Sequence, residues 1–462
     1  MLNPKQLLTY FLLAVSGLLA WCFYNADVQN TNRQMLGAVL IAISCVPFAA
    51  FLNSKGTNQF PLFAFNTLYY AVGFGFGGFF MGTPLYESGV SDADIFLAQS
   101  ITIIGVLCQI IGFRLFRFKA RSVTLRVKQL SIQQLKIGGW VSLLVSLLPL
   151  VVAEIASVPS LPQLLRLAGM AGVSILFYQI LVKQSSSFEI GLFATIAGYI
   201  IVGGILSGSI AEGLRYGILF CFISIVTRRF KLTFIIAFVS ILLLILINPV
   251  KPEFRQQTWH GSSSTQMRYL KKAELLTRLT VDYWSGQSDG AANIHRDRNT
   301  TIDRINQFPL LIVVVSDTPT SVPFWMGETY VNLAFALIPR FVWPDKPEIR
   351  TGNAFGQRYR LLHRNDWTTS VNLPWIVEFY ANFGLFGIIF GMMGCGIAFK
   401  IIENGPLSCT DRTGSSVLYI GLFGPLSYPE SNLAIMWGGV ILGWLCLNFA
   451  TNIARKGFPD KR

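Results

Sequence analysis

The chain is built from long apolar runs separated by short polar segments. A helix of about 20 apolar residues crosses the hydrocarbon core of a bilayer, and a spanning backbone must satisfy its own hydrogen bonds. The pattern therefore predicts an all-α polytopic membrane protein with about 12 transmembrane helices. The predicted spans cover residues 8–26, 35–52, 61–82, 96–116, 137–156, 163–182, 189–207, 214–227, 232–249, 375–399, 415–427 and 433–452.

The basic residues between the runs fall on one side of the predicted bundle. Residues 117–136 hold six Lys/Arg and no acid, whereas residues 83–95 hold three acids and no base. The positive-inside rule places the more basic side in the cytoplasm, so we expect both termini there. Besides residues 117–136, the basic set comprises Lys5, Lys55, Lys183, Arg228, Arg229, Lys231, Lys400 and the tail 455–462.

The composition supports the membrane assignment. Of the 462 residues, 52% are hydrophobic and only 13% are charged, and the mean hydropathy is +0.52. A soluble domain carries roughly 25% charged residues, so this chain could not cover a soluble surface. A net charge of +14 would suggest nucleic acid in a soluble protein. Here much of it lies in short loops, so we assign it to topology and expect no nucleic-acid partner.

One segment, residues 250–374, interrupts the regular alternation between the ninth and tenth runs. It holds 15 Lys/Arg, 11 Asp/Glu and all three histidines of the chain, a net charge of +4 from 15 minus 11. A loop this long is usually functional. We therefore divide the chain into a bundle of about nine spans over 1–249, a large periplasmic or interfacial loop carrying the active site over 250–374, and about three spans over 375–462.

Gly73, Gly75 and Gly78 match the dinucleotide-binding pattern GxGxxG. That fingerprint requires a preceding strand and an acidic partner, whereas these glycines lie inside an apolar run. Small residues in such a run let helix backbones approach closely. We interpret the three glycines as packing residues.

Asp92 and Asp94 form a D-x-D pattern in a predicted outer loop. Carboxylates of this kind can hold a divalent cation, because hard cations prefer oxygen ligands, but two alone make a poor site. Ser91 and Asp92 also suit the N-terminus of the fourth span, where they would cap the helix and complement its dipole. We interpret the pattern as a cap and assign no metal ligand.

Arg215 lies at the outer mouth of the eighth run, three residues after Glu212. Residues three apart share a helix face, so the two can pair with each other. An arginine at the mouth of a span can also hold an anionic substrate. Both interpretations stay open.

The richest candidate stretch runs from Ile338 to Pro347 and reads IPRFVWPDKP. Its prolines fix the backbone, Arg340 and Lys346 bring two cations close together, and Trp343 offers a face for an apolar group or a sugar. Arginine matches phosphate bidentately and lysine adds a point charge. A basic interfacial anchor with a tryptophan is the alternative. Further cations follow at Arg350, Arg358, Arg360, His363 and Arg364, more than anchoring needs, so an anionic lipid-linked substrate is favoured.

Glu378 and Asn382 open the tenth run and, being four residues apart, share a helix face. A carboxylate at the membrane edge has a raised pKa when it is desolvated, which suits a general base. A snorkelling or capping glutamate is the alternative.

These residues together resemble a family. The strings GETY (327–330), IPRFVWPDKP (338–347) and EFYANFG (378–384) are similar to those of Wzy-type oligosaccharide repeat unit polymerases, related to O-antigen polymerases and ligases. The resemblance is sharpest over residues 327–396. It implies a GT-C-like membrane glycosyltransferase of the bacterial inner membrane whose active site faces the periplasm.

The resemblance also implies roles for residues. The enzyme would transfer a glycan from undecaprenyl pyrophosphate to an acceptor repeat unit without a metal or other cofactor, in contact with the lipid bilayer. Arg340 would stabilise the pyrophosphate and Arg215 would be the second cation. A chain-length-regulating co-polymerase is left open as a partner. The base would be Glu378, with Glu328 and His363 behind it, and the remaining substrate-binding candidates are Trp343, Lys346, Arg358, Arg360 and Arg364.

Two other functions compete with polymerisation. An O-antigen-ligase-type transferase uses the same donor chemistry and differs in its acceptor. A polysaccharide flippase or other transporter fits 12 spans with both termini inside, although such proteins commonly contain internal repeats, and the two halves of this chain share none.

Overall fold

The computed structural model describes residues 4–54, 60–80, 90–116, 131–151, 158, 161–208, 210–259, 269–286, 305–338, 340, 342–347, 350–366, 369–405 and 415–457. Within these residues the chain forms helices and no strand, which confirms the all-helical class. The α-helices are α1 (Pro4–Tyr24), α2 (Thr31–Asn53), α3 (Leu62–Gly73), α4 (Asp92–Leu115), α5 (Ile132–Val145), α6 (Leu148–Val151), α7 (Leu161–Leu181), α8 (Ser187–Leu206), α9 (Ile210–Val226), α10 (Phe230–Ile247), α11 (Lys251–Trp259), α12 (Tyr269–Trp284), α13 (Phe308–Asp317), α14 (Glu328–Ala336), α15 (Thr351–Arg358), α16 (Trp375–Asn404), α17 (Ser415–Phe423) and α18 (Leu433–Gly457).

Six of these helices are long and apolar enough to cross a membrane, namely α1, α2, α4, α8, α10 and α16. Other predicted runs form apolar helices of 10–17 residues in the described part of the chain, such as the apolar parts of α7, α9 and α18. The described residues therefore form a helical protein with six candidate membrane spans, as expected for a membrane protein, and the count of 12 spans stays a prediction.

The predicted span 61–82 is not one continuous helix. Helix α3 ends at Gly73 and a short 3-10 helix follows over Gly75–Gly78. Glycine is a weak helix former, and these glycines lie against α2, because a Cβ atom on Gly37 would come within 2.8 Å of the Cα atom of Gly78. The GxGxxG pattern thus marks a close contact between backbones, as its packing interpretation predicts.

Helix α16 is broken rather than continuous. Phe383 (φ −141°, ψ 17°) and Gly384 (φ 58°, ψ −140°) leave the helical conformation and divide it into α16a, residues 375–382, and α16b, residues 385–404. The rings of Trp375 and Phe399 lie only 6.2 Å apart between centroids, whereas 24 residues of continuous helix would separate them by about 36 Å. The predicted span 375–399 is therefore a short helix folded back along a longer one.

The inner helix of this hairpin is buried in the bundle. All eight residues of α16a are buried, and a Cβ atom on Gly387 of α16b would lie 2.1 Å from the carbonyl oxygen of Phe379. Helix α4 packs against α16b with equal closeness, because a Cβ atom on Gly396 would lie 2.1 Å from the carbonyl oxygen of Gln109. Small residues allow this approach of helices within a membrane.

The predicted large loop packs against the bundle in its described parts. Helix α13 is buried and contacts α4 and α16, α14 contacts α16 and α18, and the amphipathic helix α12 contacts α8 and α10. The described parts of the segment therefore lie against the helices of the bundle. Helix α14 determines where the candidate residues that follow it, Arg340 and Lys346, are located.

Candidate functional site

The segment leading into α14 is attached to the broken end of α16a. A helix end leaves its last carbonyl groups without partners in the helix, and here the break at Phe383 exposes those of Ala381 and Asn382. The backbone N–H of Trp325 donates to Ala381 O at 3.0 Å, and that of Met326 donates to Asn382 O at 3.2 Å. The break in α16 therefore provides the attachment point for α14.

The side chain of Asn382 extends this attachment. Its Oδ1 accepts from the backbone N–H of Gly327 at 2.9 Å, and its Nδ2 donates to Oγ1 of Thr329 at 2.9 Å and to the carbonyl oxygen of Glu378 at 2.8 Å. Asn382 is fully buried. One amide side chain thus joins α16a to the first turn of α14.

Glu378 lies in the same buried region and has no exposed surface. Its Oε2 accepts from the backbone N–H of Leu433 at 2.7 Å, at the first residue of α18. Among the described residues no hydrogen-bond partner reaches its Oε1. In this conformation Glu378 connects helices and is closed to an acceptor sugar, so its role as a base stays a prediction that requires the site to open.

Arg340 and Lys346 come together in the loop that follows α14. The Nη1 of Arg340 donates to the carbonyl oxygen of Lys346 at 2.6 Å, and its Nη2 donates to that of Pro347 at 3.2 Å. In turn, Nζ of Lys346 donates to the carbonyl oxygen of Ile338 at 2.8 Å. Each cation therefore holds the backbone next to the other, which closes the loop. We call the described residues 338, 340 and 342–347 the cationic loop.

The cationic loop combines positive charge with an apolar surface. Val342 is 64% exposed and Ile338 is 37% exposed, while the ring of Trp343 meets that of Phe335 edge to face at 5.8 Å. Partial burial lowers the pKa of Lys346, and the neighbouring Arg340 lowers it further. Such mutual repulsion is reduced when an anion binds between the charges.

The cationic loop and Glu378 occupy opposite ends of α14. Thr329, in the first turn, is tied to the Glu378 region through Asn382, whereas Ile338 follows the last turn. The intervening nine residues of helix rise about 13 Å. The structure therefore separates the predicted pyrophosphate site from Glu378, the first predicted base. Glu328, another predicted base, is exposed in the first turn of α14.

The other predicted cations divide between two places. Arg358 donates to the carbonyl oxygen of Pro323 at 2.6 Å and lies 5.3 Å from the centre of the Trp325 ring, where it supports the segment that enters α14. Arg360, His363 and Arg364 are exposed in the turn after α15. None of these contacts lies in the cationic loop.

Arg215 is positioned by a different part of the bundle. Its Nε donates to the hydroxyl of Tyr428 at 3.4 Å, beside a small cavity between α7, α9 and the 3-10 turn at Gly424–Ser427. The side chain of Glu212 lies outside the described part of the chain. Ser91 caps α4, because its Oγ accepts from the backbone N–H of Asp94 at 3.2 Å and donates to the carboxylate of Asp94 at 2.8 Å. This confirms the capping interpretation at that position.

Thr329 lies in the GETY string without a role of its own there, Leu433 lies in no motif, and sequence reasoning assigned neither residue to the site. The spacing of Glu378 and Asn382 was the available signal, since it predicts the shared face that the structure shows. The hydrogen-bond partners of these two residues on other helices were not predictable, because they depend on the break after Asn382.

Comparison with known proteins gives one family. A family model described as "Domain of unknown function (DUF8712)" matches residues 63–455, which is most of the chain. No curated protein and no solved structure matches the chain.

Proposed function

We propose a function for this chain on the basis of its cationic loop. The chain belongs to the family described as domain of unknown function DUF8712. The protein polymerises lipid-linked oligosaccharide repeat units on the periplasmic face of a bacterial inner membrane. It transfers glycan from undecaprenyl pyrophosphate to an acceptor repeat unit.

The observation that carries this proposal is the pair formed by Arg340 and Lys346 within a loop whose neighbouring surface is apolar. A lipid pyrophosphate combines an anion with a hydrocarbon chain, so it needs both properties in one place. Arginine binds phosphate oxygens through its planar fork, and lysine adds a compact charge. The half-buried Trp343 beside the cations offers the uncovered part of its ring as a stacking face for a sugar.

The proposed reaction is a displacement at the anomeric carbon of the donor glycan. A hydroxyl oxygen of the acceptor forms the new glycosidic bond, and the bond between the anomeric carbon and the pyrophosphate oxygen breaks. The electron pair leaves with undecaprenyl pyrophosphate, whose developing charge the cationic loop stabilises. The hydroxyl proton passes to a base, for which Glu328 and His363, whose side chains are exposed, are more accessible candidates than buried Glu378.

The test is an extension assay with purified protein, the lipid-pyrophosphate repeat unit of its host, and EDTA. We expect a ladder of products, and we expect Arg340→Ala to reduce kcat/KM by about 100-fold, the usual loss when one charge-stabilising donor is removed. Arg278→Ala, which removes an exposed arginine from α12, is the matched control and should leave the ladder intact. Full extension by Arg340→Ala at normal expression would refute the role of this loop.

A transporter is the second candidate, and the break in α16 favours it. Transporters commonly bind anionic substrates at half-helices that end within the membrane. The discriminating measurement uses the same protein in proteoliposomes: movement of the lipid-linked unit across the bilayer without any ladder supports transport. Product formed only with a lipid A core acceptor would identify the ligase-type transferase instead.

A further inference from the structure

We infer that Asn382 is a positioning residue for the cationic loop, acting through α14. The inference rests on the proposed function, because it assigns Asn382 a part in holding the lipid pyrophosphate site. Asn382 touches neither the cationic loop nor a reacting group in the described contacts of its side chain, which go to Gly327, Thr329 and Glu378.

Three hydrogen bonds from backbone N–H groups hold the start of α14. The backbone N–H groups of Trp325, Met326 and Gly327 all donate to atoms of Ala381 or Asn382. Gly327 has φ 94°, a conformation that favours glycine, so the chain turns into α14 at a fixed place. The direction in which α14 leaves α16a is thus set at Asn382.

The first turn of α14 is held by the same asparagine. Thr329 is buried, and its Oγ1 accepts from Nδ2 of Asn382 at 2.9 Å. The same Nδ2 of Asn382 donates to the carbonyl oxygen of Glu378 at 2.8 Å, and the carboxylate of Glu378 accepts from the N–H of Leu433 at 2.7 Å. Helices α14, α16a and α18 therefore meet in one hydrogen-bonded group.

Helix α14 connects this hydrogen-bonded group to the cationic loop. The helix has nine residues and packs against α18 at its far end, where a Cβ atom on Gly438 would lie 2.4 Å from Cβ of Ala336. Two residues later Ile338 provides the carbonyl that holds Lys346. A change in the direction of α14 at Thr329 would therefore move Arg340 and Lys346 together relative to α18.

The tests use Asn382→Leu, which has a similar volume and no hydrogen-bonding group, and the pair Thr329→Val and Thr329→Ser. Asn66→Leu is the matched control, because Asn66 is also fully buried and makes two side-chain hydrogen bonds, to Leu426 O and with Gln109. Two quantities are measured for each variant: the Kd for undecaprenyl pyrophosphate without glycan, and the midpoint of thermal unfolding in detergent.

We expect Asn382→Leu and Thr329→Val to weaken undecaprenyl pyrophosphate binding by about 10- to 100-fold, the loss expected when misplaced cations lose one hydrogen bond to the charged ligand. Thr329→Ser should bind like the wild type because it keeps the hydroxyl. Asn66→Leu should lower the unfolding midpoint without weakening binding. If Asn382→Leu does not fold, the comparison of the two Thr329 variants carries the test.

The inference is overturned if Arg340→Ala weakens binding but Thr329→Val binds as tightly as Thr329→Ser. It is also overturned if Asn66→Leu weakens binding as much as Asn382→Leu does, because the effect would then follow from general destabilisation. Unchanged binding in Arg340→Ala would refute the proposed function itself, which keeps the two failures apart.

Discussion

Replacing Gly384 by alanine tests whether α16 is broken. The sign of the change in the free energy of unfolding distinguishes a broken helix from a continuous one. Gly384 has φ 58° and ψ −140°, a region almost closed to other residues, where a non-glycine residue costs about 1–3 kcal/mol. An added Cβ atom would also lie 3.1 Å from Cζ of Phe324, tighter than ordinary van der Waals contact. We expect Gly384→Ala to lower the free energy of unfolding by about 2 kcal/mol.

A continuous helix would give the opposite result. Within a regular helix, glycine is about 1 kcal/mol less favourable than alanine, so the same substitution would stabilise the protein. Gly394 provides the matched control, because it lies in the regular part of α16b and an added Cβ atom would meet nothing within 4 Å. Gly394→Ala should therefore raise the free energy of unfolding by about 0.5–1 kcal/mol.

The assay is reversible unfolding of purified protein in mixed micelles of increasing denaturing detergent, followed by circular dichroism. Gly384→Ala should unfold at a lower fraction of denaturing detergent than the wild type, and Gly394→Ala at a higher one. Stabilisation by both substitutions would refute the hairpin of α16a and α16b. It would also remove the attachment point of α14.

Three further outcomes follow from the structure. Gly396→Ala should destabilise the protein by about 1–3 kcal/mol in the same assay, because its Cβ atom would lie 2.1 Å from Gln109 O. Thr318→Val and Tyr359→Phe should show a coupling of about 1 kcal/mol in a double-mutant cycle, since their hydroxyls are 2.8 Å apart and buried. The Kd for pyrophosphate should rise as pH increases through the lowered pKa of Lys346, because the protonated amine binds the anion; a Kd that stays constant up to the ordinary lysine pKa would contradict this.

The helical class was predictable because it depends on local hydrophobicity alone. The run at 35–52 lies within α2 (Thr31–Asn53), and the run at 96–116 corresponds to α4 (Asp92–Leu115). Capping was predictable for the same reason, since Ser91 interacts with a residue three positions later. The closeness of Arg340 and Lys346 was predictable in part, because they lie six positions apart in the chain and each donates to a backbone carbonyl within the same short loop.

The break in α16 was not predictable from hydrophobicity, because both halves of the hairpin are apolar. The mean hydropathy of the run hardly changes at Phe383 and Gly384. Residues Trp375 to Asn404 together are long and apolar enough for a membrane span. Only the buried contacts of α16a and the positive φ of Gly384 reveal that the chain turns back. The turn lies in the sequence Asn-Phe-Gly at 382–384. Glycine occurs at many other places in the apolar runs, so its presence there does not predict a turn.

This break also explains why the sequence alone predicts that Glu378 is an accessible general base. At the start of a continuous span it would lie at the membrane edge, open to a substrate. In the hairpin it lies inside the bundle, where an ionisable group needs a partner, and the N–H of Leu433 provides one. The same fold that closes Glu378 to solvent frees the carbonyl groups of Ala381 and Asn382 to hold the entry to α14. Burial of the carboxylate and placement of the cationic loop are therefore two consequences of one turn in the backbone, and a variant that straightens α16 should alter both.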